Sequence, residues 1–450
     1  MKGKENKESE QQSPSISVEN LNIPFLSFKS NIKSQYKLKL FSAGPYKPGK
    51  GRDVKILSII DADSQDQLKR LKSMLKESQI QQVLSPSCSN IDIVGDTSPD
   101  CLIKNIYLYK DNLLLILHDG NLKGAIHDQI KLLAKRNNVR VQFINISHLG
   151  NPASFPFKGV IAQIIAKDDG IPWILNIEED EDVFYPNSII IGISYSSKYS
   201  HLSYGVAHFI DILNMDEKIE LLKGTLRTDS YRGVLLRVEE FKNIIEEAIK
   251  WYKNKNPKAS DTLHIFFYET APIRENNIQL ISDLIADPSK IGLSKFEFTH
   301  INIKSANYGV PRIYDESNIG YEPKYSYMQR RGTYIKIQIQ ANGSSFCRMG
   351  EAILATTGFY NEGGKNPKGT KGTPVPLYCQ VTSNNENAIE IVGRQIMKLA
   401  HLDWEFLFQE YRLPFMIKYS TKLASLINQF CSTNQELTDF PTLWDVRDLM

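Results

Sequence analysis

The sequence has few cysteines, little net charge and no long apolar run. Its 450 residues include five cysteines, and no two of them form a Cys-x-x-Cys pair, so neither a disulfide framework nor a structural zinc site is expected. The formal net charge of +3 is only mildly basic, so any contact with nucleic acid must come from a local groove. No apolar run approaches the roughly 18 residues that cross a bilayer. The first residues also lack the apolar core of a signal peptide, and we expect a cytoplasmic protein.

What the sequence does contain is an alternation of predicted strands and helices. Short apolar runs typical of buried strands are followed by segments with helical periodicity from about residue 38 onward. The predicted strands cover residues 54–60, 91–94, 113–117 and 139–146, and the predicted helices cover residues 65–76, 122–136 and 157–167. This alternation predicts a mostly parallel, doubly wound α/β sheet of the Rossmann type.

An acidic connector at residues 178–182 separates this unit from a second one. In the second unit we predict strands at residues 188–195, 262–268, 296–303, 334–339 and 377–381, helices at 238–252, 276–286, 388–400 and 418–430, and a Gly/Lys/Pro-rich loop at 358–374. We therefore expect a tail and lead-in at residues 1–37, a first domain at residues 38–185 and a second domain at residues 186–450. Residues 1 to about 20 have almost nothing to bury and are expected to be disordered.

Four polar side chains of the first unit form a candidate phosphate site. His127 and Lys131 lie four residues apart on a predicted helix, so they share one face. Gln142 lies on the following strand, and Lys167 ends the next helix and opens the string Lys-Asp-Asp-Gly-Ile-Pro-Trp. A terminal phosphate requires several convergent donors, and ammonium, imidazole and amide groups provide them. The combination predicts a pocket for a terminal phosphate, in which the ring of His127 could also stack on the first base.

Each of these residues taken singly also has a simpler explanation. A lysine near a helix C-terminus complements the helix dipole, and His127 could be an ordinary surface residue. Only the occurrence of all four together favours the phosphate site.

The same residues resemble the MID domain of Argonaute proteins. The similarity comprises His-x-x-x-Lys, Val-Gln-Phe-Ile at residues 141–144 and Ala-Lys-x-x-Gly-Ile-Pro-Trp at residues 166–173. It implies that His127, Lys131, Gln142 and Lys167 hold the 5′-phosphate of a guide strand. The resemblance runs from about residue 38 to the C-terminus without the N and PAZ regions of a full-length Argonaute, so the chain is similar to the short prokaryotic MID–PIWI type.

The resemblance also implies a role for Met450 and a metal ion. In several prokaryotic members the C-terminal carboxylate enters the 5′ pocket, so a Mg²⁺ or Mn²⁺ ion is expected there with Gln142 and Met450 as ligands. Such a cation would offset the phosphate charge. A frayed terminus is the alternative for Met450.

The second unit resembles the PIWI domain, which has an RNase H-like fold. The matching segments are Ile-Ile-Gly-Ile-Ser (190–194), His-Ile-Phe-Phe-Tyr-Glu-Thr (264–270), Gly-Thr-Pro-Val-Pro-Leu-Tyr (372–378), Leu-Asp-Trp (402–404) and Leu-Pro-Phe-x-x-x-Tyr-Ser-x-x-Leu-Ala (413–424). Cleavage by this fold uses two divalent cations held by acidic or imidazole groups. Ser194, Glu269 and Thr421 stand at three of the positions where the family has those ligands, so we expect no enzymatic activity and no catalytic metal. Acids in the region that could supply the remaining, mobile glutamate are Asp211, Asp216, Glu217 and Asp229.

Basic and aromatic residues of the second unit suggest a groove for a guide–target duplex, although each could also be a solvated surface charge. They are Tyr308, Arg312, Lys324, Arg330, Arg331, Arg348, Lys365, Lys368 and Lys371.

The leading hypothesis is a short Argonaute that binds a 5′-phosphorylated guide and pairs it with a target without cleaving it. The resemblance implies defence against invading DNA such as plasmids or viruses, together with separately encoded N/PAZ-like and effector proteins. An RNA guide and a DNA target are favoured, although both kinds of duplex present phosphates. Two alternatives are an active guided endonuclease with a rebuilt metal site and a non-guided RNase H-like scaffold that binds nucleic acid.

Overall fold

A computed structural model of the chain describes residues 15–60, 64–84, 90–122, 124–150, 154–176, 187–196, 202–210, 219–227, 236–255, 261–304, 313, 330–339, 345–357, 360–362, 365–368, 375–405, 407, 412–432 and 443–450. The strands are β1 (Ser15–Asn20), β2 (Leu26–Ser27), β3 (Lys33–Ser34), β4 (Val54–Ser58), β5 (Ile91–Asp96), β6 (Leu113–His118), β7 (Arg140–Asn145), β8 (Ile174–Leu175), β9 (Ser188–Ser196), β10 (Leu202–Ile210), β11 (Ile219–Arg227), β12 (Thr262–Glu269), β13 (Lys295–Lys304), β14 (Thr333–Gln338), β15 (Cys347–Leu354), β16 (Tyr360–Glu362), β17 (Lys365–Lys368), β18 (Leu377–Ser383) and β19 (Leu443–Asp445).

The α-helices among these residues are α1 (Leu40–Ala43), α2 (Gln65–Leu75), α3 (Ser78–Leu84), α4 (Pro99–Asn105), α5 (Gly124–Arg136), α6 (Phe155–Lys167), α7 (Val238–Lys255), α8 (Glu275–Ala286), α9 (Ala388–His401), α10 (Phe415–Ser432) and α11 (Val446–Leu449). Over the part of the chain that the structure describes, none of them has the length and apolar character of a membrane-crossing helix.

The first unit is built on a four-stranded parallel sheet. Its strand order is β5-β4-β6-β7, and every neighbouring pair is parallel. The central strand β6 is buried on both faces, since Leu113, Leu115 and Leu117 pack into one core cluster and Leu114 and Ile116 into another. Double burial explains why this strand is a continuous apolar run rather than an alternating one. The predicted parallel α/β sheet is confirmed.

The second unit is built on a ten-stranded mixed sheet. Its order is β1-β14-β15-β18-β13-β12-β9-β10-β11-β19. The central strand β12 is parallel to β9 and to β13, and the other neighbouring pairs are antiparallel. Helices α7 and α8 pack on one face, whereas α9 and α10 pack on the other.

Helix α10 lies unusually close to strand β9. A Cβ atom at Gly192 would lie 2.4 Å from Cγ of Met416, a distance that real side chains do not reach. Glycine at this position therefore permits the approach and fixes the height of α10 above the sheet. This matters for function because α10 contributes one wall of the candidate site.

The expectation of disorder up to about residue 20 is wrong for residues 15–20. These residues form β1, which pairs antiparallel with β14 at the edge of the large sheet. Ile16 and Val18 remain 67% and 63% exposed, so burial of side chains does not order this strand. Instead, β1 is ordered by backbone hydrogen bonds to β14, which lies more than 300 residues away in the sequence. Sequence composition does not predict such distant pairing.

Several other elements were not predicted from the sequence. Pairing with neighbouring strands of the sheet positions β10, β11, β15 and β19. The segment expected to be a Gly/Lys/Pro-rich loop contains the antiparallel pair β16–β17. The predicted acidic connector at residues 178–182 lies outside the described residues.

Two tryptophans join the units by reciprocal hydrogen bonds. Trp173 Nε1 donates to the Leu402 carbonyl at 3.2 Å, and Trp404 Nε1 donates to the Trp173 carbonyl at 2.9 Å. Both side chains are buried. Lys37 adds a bond from its Nζ to the Asp403 carbonyl at 3.2 Å. These contacts hold the end of the Gly-Ile-Pro-Trp segment against the Leu-Asp-Trp segment.

Candidate anion-binding site

Three of the four predicted phosphate ligands line one cavity between the two units. His127 and Lys131 project from α5 and Gln142 from β7 into a space of about 390 Å³. The opposite walls are formed by α10 and by the last residues of the chain, including Met450. Lys167, at the end of α6, reaches the same Met450 from behind the cavity. The structure thus brings the four side chains together.

The ammonium groups of Lys131 and Lys167 converge on the backbone oxygen of Met450. The distances from the two Nζ atoms are 2.6 and 3.3 Å. Lys131 also donates to the Leu449 carbonyl at 3.1 Å, and Lys167 donates to the Arg447 carbonyl at 3.0 Å. Two cations around one oxygen form an arrangement that an anionic oxygen can occupy.

Both lysines are held in surroundings that disfavour their positive charge. Burial, together with the nearby charge of Lys422, lowers the pKa of Lys131 to about 7. Burial, together with Lys131 and Arg140, lowers the pKa of Lys167 well below its usual range. A bound anion would relieve this repulsion and return both groups to the charged form.

His127 presents a flat, half-buried ring beside these lysines. The ring lies 4.3 Å from the ring of Phe143, centroid to centroid, and its Nδ1 is 3.0 Å from a carboxylate oxygen of Asp128. Burial lowers the pKa of His127 in spite of the hydrogen bond with Asp128, which acts in the opposite direction. A neutral ring at the rim of the cavity suits stacking on a base.

Gln142 offers the cavity an acceptor rather than a donor. Its Nε2 donates to the Phe143 carbonyl and to Gln163 Oε1, both at 2.8 Å. Its Oε1 is buried and has no hydrogen-bond partner among the described residues. Donation from Gln142 to a phosphate, as predicted from the sequence, therefore requires exchange of one existing bond.

Three charged residues of the second unit that were not predicted from the sequence line the same cavity. Lys422 lies 2.7 and 2.8 Å from the two oxygens of Glu405, and Lys418 pairs with Glu405 and, at 2.6 Å, with Asp403. Burial alone would raise the pKa of Glu405, but Lys422 and Lys418 lower it to about 2. The available signal was the spacing of Lys418 and Lys422, which lie four residues apart and so share one face of α10.

Ion pairs with the first unit anchor the last segment of the chain. Asp448 pairs with Lys135 at 2.6 Å and with Arg140, which also pairs with Asp169 at 3.1 Å. Trp444 and Met450 are buried. The segment that carries the Met450 oxygen is therefore fixed in the site by both charge and packing.

The residues around Met450 do not fit the expected divalent cation. Gln142 Oε1 is an oxygen atom without a hydrogen-bond partner among the described residues, and it could ligate a metal ion. The Met450 oxygen, however, already accepts hydrogen bonds from Lys131 and Lys167. Both oxygens of Glu405 also accept hydrogen bonds from lysines. Magnesium requires near-octahedral oxygen ligands at about 2.1 Å. The hydrogen bonds from Lys131 and Lys167 occupy the Met450 oxygen, which is one of the two predicted ligands.

The three positions that match PIWI metal ligands are all hydrogen-bonded to side chains. Thr421 Oγ1 donates to Ser194 Oγ at 2.8 Å, which joins α10 to the end of β9. Glu269, at the end of β12, is buried and pairs with His300 Nε2 at 2.9 Å and with the Tyr195 hydroxyl. The carboxylate is thus engaged through both oxygens by neighbouring side chains.

No group of three or more His, Cys, Asp or Glu side chains that could hold a metal ion occurs within the described ranges. The acids considered for a mobile glutamate, Asp211, Asp216, Glu217 and Asp229, lie outside those ranges.

Of the candidate groove residues, Arg331 is a structural residue. It is 5% exposed, its Nε donates to the Thr356 carbonyl at 3.1 Å, and its NH2 contacts His401 Nδ1 at 2.9 Å. Arg348 remains about half exposed and pairs with Glu351. Arg330 is exposed, and Lys365 and Lys368 belong to β17. Tyr308, Arg312, Lys324 and Lys371 lie outside the described residues.

The three-dimensional structure is similar to solved Argonaute and Piwi structures. Drosophila Piwi superimposes with a TM-score of 0.66 at 14% identity, over 91% of this chain and 54% of that protein. Clostridium butyricum Argonaute, bound to a guide DNA and a 19-mer target DNA, gives a TM-score of 0.65 at 14% identity, over 92% and 53%. Marinitoga piezophila Argonaute, in complex with a 5′ OH guide RNA, gives 0.56 at 16% identity, over 90% and 58%.

These similarities define the fold. The chain spans about half the length of the solved structures it matches. No protein-family model matches the sequence, and no curated protein matches it either. The predicted fold class, a Rossmann-like MID domain followed by an RNase H-like PIWI domain, is confirmed as an Argonaute-like arrangement.

Proposed function

We propose that this chain is a guide-binding protein of the short Argonaute type, which holds the 5′-phosphate of a short nucleic acid in the cavity between its two units. The observation that carries this proposal is the convergence of Lys131 and Lys167 on the oxygen of Met450. Two closely spaced lysines with lowered pKa values are poised to gain charge when an anion arrives.

A terminal phosphate suits this cavity in shape and in charge. Its oxygens accept charge-assisted hydrogen bonds from Lys131 and Lys167, and they occupy positions near the backbone oxygen that these lysines now bind. The first base then stacks on His127, whose ring is already supported by Phe143. The rest of the strand leaves through the open side of the cavity and pairs with a target.

As expected from the sequence resemblance, we propose an RNA guide and a DNA target. Among the similar structures, one holds a guide DNA with a target DNA and another a guide RNA, so the fold is compatible with either chemistry. We propose further that the complex acts in prokaryotic defence against invading DNA such as plasmids or viruses. We also propose separately encoded N/PAZ-like and effector proteins as its partners in this defence.

The bound target is held without being cut. This part of the proposal is supported by Ser194 and Thr421, whose hydroxyl groups bond to each other, and by Glu269, which His300 and Tyr195 engage. Two-metal hydrolysis requires several acidic oxygens free to bind both cations. The defence response would then come from partner proteins that the complex recruits or activates.

A cleavage assay tests this directly. With a 5′-phosphorylated guide, a complementary target and Mn²⁺ or Mg²⁺, we expect no product above background in any combination of RNA and DNA. An active Argonaute run in parallel serves as the positive control. A product cut opposite the middle of the guide that disappears in the Glu269→Ala variant would establish a rebuilt catalytic site, whereas a product that persists in this variant indicates a contaminating nuclease.

Guide binding should depend on pH through Lys131. The group faces Lys422, Glu405, Asp128 and Lys418, and its pKa in the guide-free protein is about 7. Above that pH the amine is neutral, so binding of a phosphate must take up a proton. Affinity for a 5′-phosphorylated strand should therefore fall between pH 7 and 9, by up to about tenfold per pH unit.

The measurement is a titration of 5′-phosphate and 5′-hydroxyl strands across this pH range by fluorescence anisotropy. The 5′-hydroxyl strand should show a much flatter profile. In the Lys131→Arg variant, where the side chain stays charged, the part of the pH dependence that comes from Lys131 should vanish, whereas the part that comes from Lys167 should remain. Identical profiles for the two strands in the unmodified protein would contradict the assignment of Lys131.

A further inference from the structure

A lysine of the second unit approaches the phosphate site from the side opposite Lys131. Lys422 Nζ donates to the Leu449 carbonyl at 3.2 Å, and Lys131 Nζ donates to the same oxygen at 3.1 Å. The two ammonium groups therefore converge on one point although they belong to different units. Lys422 also lines the cavity directly.

The present partner of Lys422 is Glu405, and this pairing can be exchanged. Lys418 binds Glu405 Oε2 and, at 2.6 Å, Asp403 Oδ2. If Lys422 moved away, Glu405 would keep a cationic partner, so no buried carboxylate would be left unpaired. Lys418 is 2% exposed and fixed, whereas the side chain of Lys422 is 33% exposed and has room to turn toward the cavity.

The charged side chains around the cavity include more cationic than anionic groups. Four of them are lysines, Lys131, Lys167, Lys418 and Lys422, and three are carboxylates, Asp128, Asp403 and Glu405. Burial and the charge of Lys422 lower the pKa of Lys131, and the shared contact with the Leu449 carbonyl places the two ammonium groups close together. A phosphate between them would turn this repulsion into two attractive contacts.

We propose that Lys422 leaves Glu405 when a guide binds and becomes a third lysine ligand of its 5′-phosphate, beside Lys131 and Lys167. Lys422 thereby supplies the positive charge that the sequence resemblance assigned to Mg²⁺ or Mn²⁺, and the phosphate binds without a divalent cation. Glu405 acts as an internal counter-ion that keeps Lys422 paired while no guide is present. This inference rests on the proposed function.

The test compares the affinities of the full chain for short 3′-labelled RNA strands that carry either a 5′-phosphate or a 5′-hydroxyl. Each is measured in excess EDTA and in millimolar Mg²⁺. We expect the unmodified protein to prefer the 5′-phosphate in EDTA. Lys422→Gln should weaken binding of the 5′-phosphate strand about tenfold in EDTA and leave binding of the 5′-hydroxyl strand unchanged, which also shows that the variant is folded.

Two further variants sharpen the result. Glu405→Gln removes the competing carboxylate and should strengthen binding of the 5′-phosphate strand several-fold, opposite in sign to Lys422→Gln. Lys422→Arg keeps the charge and should retain most of the preference. The matched control is Lys242→Gln on α7, another lysine paired with a glutamate, which lies away from the cavity and should change neither affinity.

The outcomes separate this inference from the proposed function. Full 5′-phosphate affinity of Lys422→Gln in EDTA, or a preference of the unmodified protein that requires Mg²⁺, overturns the role of Lys422 and leaves guide binding standing. Absence of any preference in both buffers overturns both.

Discussion

The Lys131→Ala and Lys167→Ala variants will each lose most of the preference for a 5′-phosphorylated strand. Each substitution removes an ammonium group that converges on the Met450 oxygen. A charge-assisted hydrogen bond in a site of restricted solvent access contributes about 2–3 kcal/mol, so we expect a loss of about a hundredfold in affinity for the 5′-phosphate strand. Affinity for the 5′-hydroxyl strand should hardly change. The double variant should show no preference.

The experiment is an equilibrium titration of both strands against each variant, with RNA and DNA versions of the strand. Lys69→Ala is the matched control, because Lys69 is an exposed lysine on helix α2 of the same unit. It should behave like the unmodified protein. If Lys131→Ala and Lys167→Ala still distinguish phosphate from hydroxyl, the 5′ pocket has been misplaced and a non-guided RNase H-like scaffold becomes the better description.

The Trp404→Ala variant should lose about 3–5 kcal/mol of folding free energy. Trp404 is buried, packs on Phe415 and donates to the Trp173 carbonyl at 2.9 Å. Its removal leaves a large cavity between the two units and an unpaired buried carbonyl. Since Glu405 follows directly in the chain, the loss should also disturb the wall of the anion site.

Urea unfolding followed by circular dichroism measures this effect. Trp404→Phe keeps a ring but loses the N–H group, and should cost only about 1–3 kcal/mol. Trp251→Ala, at a half-buried position of α7, should cost less than Trp404→Ala. A loss below about 1 kcal/mol for Trp404→Ala would mean that the tryptophan pair does not join the units.

Local patterns explain which structural predictions succeeded. The helix α5 was predicted at residues 122–136 and is observed at Gly124–Arg136, and β9 was predicted at residues 188–195 and is observed at Ser188–Ser196. Periodicity and apolar runs are properties of neighbouring residues, so they survive in the folded chain. The edge strand β1 has only two apolar residues in alternation, Ile16 and Val18, and is held by its distant partner β14, so this short pattern was not enough to predict it.

For the anion site, the sequence predicted the residues of the first unit but not those of the second. His127 and Lys131 are one helical turn apart, and Lys167 lies in the string that resembles the MID domain, so the combination of these residues with Gln142 pointed to the site. Lys422 and Glu405 reach the cavity from the other unit, and nothing in their spacing indicates what they face. Arg331 was grouped with groove residues by its charge, yet it is buried against His401.

The sequence by itself determined the alternation of strands and helices in the first unit, the set of MID-like side chains and the lack of acids at Ser194 and Thr421, because each of these is fixed by residue type and short-range spacing. Only the tertiary structure decided that two lysines meet at the oxygen of Met450 and that a second unit closes the cavity with its own charged pair. The two lysine contacts join residues hundreds of positions apart, and the geometry of the cavity follows from packing the two units together rather than from any local pattern.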